Sequence, residues 1–193
     1  MHLLPNDMNV PNGFGHRTLS LFILFCLVGV GYSANAQVSN SMDPVEVSDI
    51  DVSGDPVYFS FIENRVVSNS EAEAGLWDIR FEGTIITVSG EVQLLERAFD
   101  YIARAPKEGY EEDDETDGPA VSTASGTGWF DYNPTTHIVT PIPDRTIVVH
   151  TLNDTYAKLE ILSYYLGGDE QGGVPRYYSF RYVYQSDGTR DLR

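Results

Sequence analysis

Cysteine is almost absent from the sequence. Its single cysteine, Cys26, lies within the apolar run Leu19–Val30 near the N-terminus. Arg17 precedes this run and Ala34-Asn35-Ala36 follows it, a pattern typical of a secretory signal peptide cleaved after Ala36. The run is too short for a transmembrane helix, so we predict a chain exported to the periplasm, the outer membrane or the exterior, with no membrane-spanning segment after processing. Disulfides and cysteine nucleophiles are thereby excluded.

Basic residues are scarce. The chain has 12 Lys and Arg against 29 Asp and Glu, which gives a formal net charge of −17. Residues 1–36 contain one acid, Asp7, and one base, Arg17, so removing them leaves this charge unchanged. Because so acidic a chain repels phosphate backbones, we expect no nucleic-acid partner.

Catalytic motifs are absent from the sequence as well. It contains no G-x-S-x-G, no P-loop, no H-E-x-x-H and no dinucleotide-binding fingerprint. After removal of residues 1–36, His137 and His150 are the only histidines. We therefore predict that the protein is not an enzyme.

What the sequence does contain is a strand pattern. Several segments consist mainly of β-branched and aromatic residues, and apolar residues alternate with polar ones in some of them. In Trp77–Glu82 this alternation predicts that Trp77 faces the core. We predict a mostly β fold of antiparallel sheets with one short helix and long loops. The predicted strands are Val57–Phe61, Arg65–Val67, Trp77–Glu82, Thr84–Val88, a hairpin of Thr146–Thr151 and Tyr156–Tyr165, and Tyr177–Gln185.

The one helix is predicted at Glu91–Ala105, because apolar residues recur there every three or four positions before Pro106. Ser68–Gly75 is predicted to be a loop. The organisation that follows is a signal peptide over 1–36, a polar linker over 37–55, one β domain over 56–186 and a polar tail over 187–193 that should fray.

An acidic segment, Glu111–Asp117, follows the predicted helix. Clustered carboxylates can bind Ca²⁺, but this segment lacks the glycine and the terminal glutamate of an EF-hand loop. A solvated, mobile loop is the interpretation that we prefer.

His137 is the best candidate for metal chemistry, because neutral imidazole is a common ligand for iron, zinc and copper. It lies close in sequence to Trp129, Phe130 and Tyr132, and such aromatic surroundings suit a flat apolar ligand such as haem. The alternative is a histidine that only forms a local hydrogen bond at a strand end. His150 is predicted to lie on the outer face of its strand, opposite Ile147 and Val149, and carries less weight.

Several motifs together resemble the HmuY-like family of exported, haemophore-like proteins. In order, they are VYFSF at Val57–Phe61, WDIRF at Trp77–Phe81, GWFDYN at Gly128–Asn133, HIVTP at His137–Pro141, YAKLEILSYY at Tyr156–Tyr165 and YSFRYVYQ at Tyr178–Gln185. The resemblance covers about Val57 to Gln185.

The resemblance implies an all-β fold, haem as the ligand and an outer-membrane haem receptor as a partner. It also implies a site that we place at His137 as the iron ligand, with Tyr132 or Trp129 packed against the porphyrin. The acidic segment would act as a flap over this site. The histidine ligands of the family's founding member do not match residues of this chain, and its lipoprotein cysteine is missing. A β-rich surface module that has lost haem ligation and binds protein or glycan is therefore the alternative.

Overall fold

The structure is a computed structural model that describes residues 42–114 and 116–193. Within these residues the chain forms twelve strands, one α-helix and two short 3-10 helices. The strands are β1 (Val45–Asp51), β2 (Val57–Ser60), β3 (Arg65–Val66), β4 (Ile79–Glu82), β5 (Ile85–Val88), β6 (Glu91–Glu96), β7 (Glu111–Glu112), β8 (Phe130–Asn133), β9 (Ile138–Pro141), β10 (Arg145–His150), β11 (Tyr156–Tyr165) and β12 (Pro175–Gln185). The helix is α1 (Asn69–Glu73), and the 3-10 helices are Phe99–Tyr101 and Leu166–Gly168.

The strands form three antiparallel sheets. A six-stranded sheet has the order β1-β12-β11-β10-β6-β7, a four-stranded sheet has the order β3-β2-β4-β5, and β8 pairs with β9 alone. The longest strands, β11 and β12, lie at the centre of the large sheet, where both of their edges are hydrogen-bonded. The predicted mostly β, antiparallel fold with one short helix is confirmed.

The core has two parts, one on each face of the six-stranded sheet. The larger part joins that sheet to the four-stranded sheet and to the β8–β9 hairpin, and it is rich in aromatic rings such as Phe59, Phe81 and Tyr178. The smaller part covers the opposite face, where Phe99 and Leu192 pack on Val148 and Val183. Because both faces are covered, the central strands are almost wholly buried.

Most of the predicted strands are confirmed. The hairpin of β10 and β11 pairs Val149 with Ala157 and Ile147 with Leu159. His150 lies on the face opposite Ile147 and Val149, as the alternation predicted, and is half-buried.

The predicted helix at Glu91–Ala105 is wrong. Residues Glu91–Glu96 form strand β6, which pairs with β10 along its whole length, and a 3-10 helix follows at Phe99–Tyr101. Leu94 packs against the larger core and Leu95 against the smaller one. A strand with apolar contacts on both faces loses the two-residue alternation, and its spacing here imitates that of a helix.

The only α-helix of the described residues lies instead at Asn69–Glu73, within the predicted loop Ser68–Gly75. A capping box starts it: the Ser68 hydroxyl accepts a hydrogen bond from the Glu71 amide, and the Glu71 carboxylate accepts one from the Ser68 amide. Gly75 ends it with φ +75, a conformation that favours glycine.

Trp77 also departs from its predicted place in the core. Strand β4 begins only at Ile79, and the preceding Asp78 turns inward, where its carboxylate accepts a 2.7 Å hydrogen bond from the Phe61 amide. Trp77 turns away from Ile79 and packs against Tyr58, so the alternation breaks at the buried acid.

The C-terminal residues, which we expected to fray, are docked on the fold. Leu192 is fully buried in the smaller core, and its amide donates to the carbonyl of Ala103. The Arg190 carbonyl accepts from the Ala105 amide. One apolar side chain, Leu192, thus holds an otherwise polar segment.

The predicted signal peptide over 1–36 and residues 37–41 of the predicted linker lie outside the described residues. The rest of that linker contains β1, which pairs with β12 at the edge of the six-stranded sheet. Among the residues that the structure describes, no helix is both long and apolar enough to span a membrane.

Candidate functional site

The residues of the predicted site lie on the β8–β9 hairpin. Strands β8 and β9 pair from Phe130↔Pro141 to Asn133↔Ile138. Hydrogen bonds attach the hairpin to the rest of the fold. The Val139 amide donates to the Tyr165 hydroxyl at 2.9 Å, the Trp129 indole N–H donates to the Thr84 carbonyl at 2.8 Å, and the Thr140 hydroxyl donates to the Glu170 carboxylate at 3.4 Å. The connecting loop therefore sits on a fixed base.

Asn133 shapes the loop that presents His137. Its side-chain oxygen accepts from the amides of Thr135 and Thr136, and its carbonyl accepts from the His137 amide at 2.8 Å. His137 has φ +59, a left-handed conformation that is uncommon outside glycine but is enriched in Asn, Asp and His. Backbone strain of this kind persists only where the surroundings impose it.

The structure brings Tyr132 and His137 together. The Tyr132 hydroxyl lies 2.6 Å from Nδ1 of His137, and the two ring centroids are 6.1 Å apart. Both side chains are exposed, Tyr132 at 41%. Among the described residues, no hydrogen-bond partner is found for Nε2 of His137.

The direction of the proton in this hydrogen bond determines what His137 can bind. When Nδ1 carries the proton, it donates to the tyrosine oxygen and Nε2 keeps its lone pair. Metal-binding histidines commonly have this arrangement, in which one ring nitrogen is held by a neighbouring acceptor while the other faces the metal. The pair is therefore chemically able to offer one nitrogen ligand to a metal.

Trp129 is not brought together with Tyr132 and His137. Its side chain is 2% exposed and packs within the larger core against Phe130, Tyr164 and Tyr178, with ring centroids 4.9 to 5.9 Å apart. A buried ring cannot contact a ligand at the exposed hairpin loop. This corrects the expectation that Trp129 could pack against a porphyrin, and its observed role is to anchor the start of β8.

His150 is placed differently from His137. Its Nδ1 lies 3.2 Å from the Glu91 carboxylate, its Nε2 lies 3.5 Å from the Asp154 carboxylate, and its ring stacks on Tyr156 with a centroid distance of 4.6 Å. Both ring nitrogens of His150 therefore have a carboxylate beside them, whereas Nε2 of His137 has no partner among the described residues.

The acidic segment is held by its own carboxylates rather than projecting as a flap. Asp113 accepts hydrogen bonds from the amides of Val88 and Ala120, at 2.6 and 2.8 Å. Asp114 accepts from the amides of Thr116 and Asp117, and these bonds lower the pKa of its carboxyl. The expectation of a mobile flap is corrected on this point, because Asp113 ties the segment to β5.

No group of three or more His, Cys, Asp or Glu side chains within the described residues could hold a metal ion. His137 would thus be a single protein ligand. A bare ion needs several such ligands, whereas haem iron already has four from the porphyrin and needs only an axial one.

Solved structures share this architecture. The HmuY analog of Tannerella forsythia, in its apo form, superposes with a TM-score of 0.56 at 15% identity, over 77% of this chain and 100% of that one. A candidate lipoprotein of Bacteroides fragilis gives a TM-score of 0.52 at 15% identity, over 76% of this chain and 96% of that one. A candidate HmuY-like heme-binding protein of Bacteroides vulgatus gives 0.50 at 16% identity, over 74% and 94%.

The sequence itself matches no protein-family model and no curated protein. Identity to the solved structures is low, so the likeness is one of fold. The predicted HmuY-like fold is confirmed: this chain has the fold of the HmuY-like proteins.

Proposed function

We propose that this protein is an exported, non-enzymatic binding protein that binds haem at the β8–β9 hairpin, with Nε2 of His137 as an axial ligand of the iron. The observation that carries the proposal is the 2.6 Å contact between the Tyr132 hydroxyl and Nδ1 of His137. By the resemblance to haemophore-like proteins, an outer-membrane haem receptor would be the partner that receives the ligand.

Three residues have distinct roles in this proposal. His137 supplies the ligand nitrogen. Tyr132 holds the imidazole in the tautomer that frees Nε2, and its exposed ring offers an apolar surface beside it. Trp129 contributes from the core by fixing β8 through its indole bond to Thr84.

The fold likeness supports the same ligand class. One of the structures with this fold is described as a candidate heme-binding protein, and another as an HmuY analog in its apo form. These descriptions apply to those proteins. We propose haem for this chain because the hairpin offers one nitrogen ligand, Nε2 of His137, and a single ligand suits an axial position.

The test is a titration of the protein, without residues 1–36, with ferric haem, followed at the Soret band. His137→Gly is the informative variant, because glycine adopts φ +59 without strain and the loop should keep its shape. We expect a red-shifted Soret band in the unmodified protein and its loss in His137→Gly. His150→Gln is the matched control and should bind like the unmodified protein.

Tyr132→Phe separates orientation from ligation. It keeps the aromatic surface and the imidazole but removes the acceptor for Nδ1. Loss of such a supporting contact weakens metal binding roughly 10- to 100-fold. An unshifted Soret band in the unmodified protein, or one that His137→Gly leaves unchanged, would contradict the proposed site.

A second candidate function is a β-rich surface module that has kept the fold without binding haem and instead binds protein or glycan. The burial of Trp129 favours it, because the hairpin then offers only one aromatic surface, Tyr132, to a porphyrin. The colour of the protein purified from haem-supplemented culture distinguishes the two: a colourless protein supports the module, and a coloured one supports haem.

A further inference from the structure

A second cleft lies away from the hairpin, between α1 and the outer face of the four-stranded sheet. Its cavity has a volume of about 440 Å³, and its walls include the rings of Tyr58 and Trp77 and the side chains of Asp55, Asn69 and Glu73. Nothing in the haem proposal uses these residues.

The aromatic pair forms one wall of this cleft. Tyr58 and Trp77 are half-buried and meet edge to face, with ring centroids 5.1 Å apart and planes at 70°. The Arg80 guanidinium carbon lies 5.8 Å from the Tyr58 ring centroid and pairs with Glu82. Among the described residues no cation lies over the Trp77 ring, which leaves this ring as the aromatic surface open to one. Within the described part of the chain, no hydrogen-bond acceptor is found for the Trp77 indole N–H, in contrast to that of Trp129.

Two acidic residues, Asp55 and Glu73, line the same cleft. Asp55 and Glu73 are exposed and form no ion pair with any described residue, and none of the described residues lining the cleft is Lys or Arg. Glu73 also lies in the last turn of α1, where a negative charge opposes the helix dipole. Stability of the helix therefore does not account for this acid.

The cleft is held in shape from both sides. The capping box of Ser68 and Glu71 fixes the start of α1, and Arg65 pairs with Glu71 to tie the helix to β3. On the sheet side, the buried Asp78 bonds the Phe61 amide and thereby turns Trp77 outward. Preformed walls reduce the entropy lost on binding.

We propose that this cleft binds a cationic side chain, arginine or lysine, of a partner polypeptide. The charge would meet Asp55 and Glu73, and the alkyl stem would lie along Trp77. An anionic ligand is disfavoured by the two carboxylates and by the absence of a basic residue among the described lining residues. The net charge of −17 adds a long-range attraction for a basic partner.

The experiment measures the fluorescence anisotropy of a dye-labelled glycine-rich peptide with two arginines, titrated with the full mature protein. A peptide with citrulline in place of each arginine has nearly the same shape without the charge. We expect saturable binding of the arginine peptide and none of the citrulline peptide. Trp77→Leu should weaken binding on the order of 10-fold.

Matched charge variants separate a built site from general attraction to an acidic protein. Asp55→Asn combined with Glu73→Gln should weaken binding roughly 5-fold, and these exposed side chains make no hydrogen bond to the described residues whose loss would unfold the chain. Glu108→Gln combined with Asp144→Asn changes the net charge equally, away from the cleft, and should leave binding unchanged.

Two results would overturn the proposal. Equal weakening by both double variants would show that the binding is non-specific attraction to an acidic protein. Displacement of the peptide by free agmatine at the peptide's own concentration would assign the cleft to small free cations instead of a polypeptide side chain.

Discussion

Replacing Lys158 by methionine tests how the second face of the large sheet is covered. Lys158 lies on β11 and is only 4% exposed. Its ammonium group donates to the carbonyls of Phe99 and Ile102, at 3.0 and 2.8 Å, and lies 4.4 Å from the centroid of the Phe99 ring. One buried charge thus holds the segment that contains the 3-10 helix.

The magnitude follows from these contacts. Methionine fills a similar volume but leaves the Ile102 carbonyl without a donor, at about 1–3 kcal/mol. It also removes the charged donor of the Phe99 carbonyl, at about 1.5–3 kcal/mol, although that oxygen still accepts from the Ile102 amide. It also removes the cation–π contact, worth about 1–2 kcal/mol at a partly desolvated site. Against this, methionine has no charge to desolvate, which returns several kcal/mol. We expect a net loss of about 2 kcal/mol in the free energy of unfolding.

Urea denaturation of Lys158→Met, with the exposed Lys107→Met as the control, measures this loss. Burial lowers the pKa of Lys158 from its ordinary 10.5. The folded state therefore favours the neutral amine, and the stability of the unmodified protein should rise with pH in the window below 10.5, a rise that Lys158→Met lacks. A variant as stable as the unmodified protein, or more stable, would refute the reasoning.

Three further predictions concern buried groups. Asp78→Ala leaves the buried Phe61 amide unpaired and should cost about 1–3 kcal/mol in urea denaturation. Asp78→Asn keeps an acceptor and, because burial raises the pKa of the Asp78 carboxyl, should be at least as stable as the unmodified protein near neutral pH. Equal losses in the two variants would contradict this. Leu192→Ala should cost about 2–4 kcal/mol, measured in the same way, because this fully buried side chain docks the C-terminal segment; a loss below about 0.5 kcal/mol would show that the segment is not docked. Burial raises the pKa of Tyr182 to about 12 and also raises that of Tyr178, so the stability that these tyrosines contribute is present below pH 10 and declines as the pH rises above it. Tyr182→Phe should reduce the slope of that alkaline loss, measured by circular dichroism.

The strands with one clear buried face are those that the sequence could predict. In β4 and β5, buried positions alternate with half-buried or exposed ones, because one face of each strand meets the core. The β10–β11 hairpin is almost wholly buried, but its β-branched residues and the turn at Asn153 and Asp154 were sufficient. A strand can be predicted from the local sequence pattern where the burial of each residue depends only on its position in that strand.

β6 could not be predicted for the opposite reason. The burial of Glu91–Glu96 depends on segments that are distant in sequence. On one face, Val92 and Leu94 pack in the larger core, which includes the four-stranded sheet. On the other face, Leu95 packs against the smaller core, to which the C-terminal segment contributes Leu192. No local spacing carries that information. The fraying predicted for the C-terminal residues failed for the same cause, since the apolar surface that receives Leu192 is built from β10 and β12.

The two tryptophans show how far site prediction from sequence can reach. Trp129 and Trp77 both stand just before a strand and next to an aromatic or apolar residue, yet Trp129 is buried and Trp77 lines an open cleft. The difference arises at Asp78, whose carboxylate is drawn inward to bond the Phe61 amide from a different strand. A hydrogen bond across 17 residues leaves no periodic trace, so the aromatic ring that it turns outward becomes visible as a site only in three dimensions.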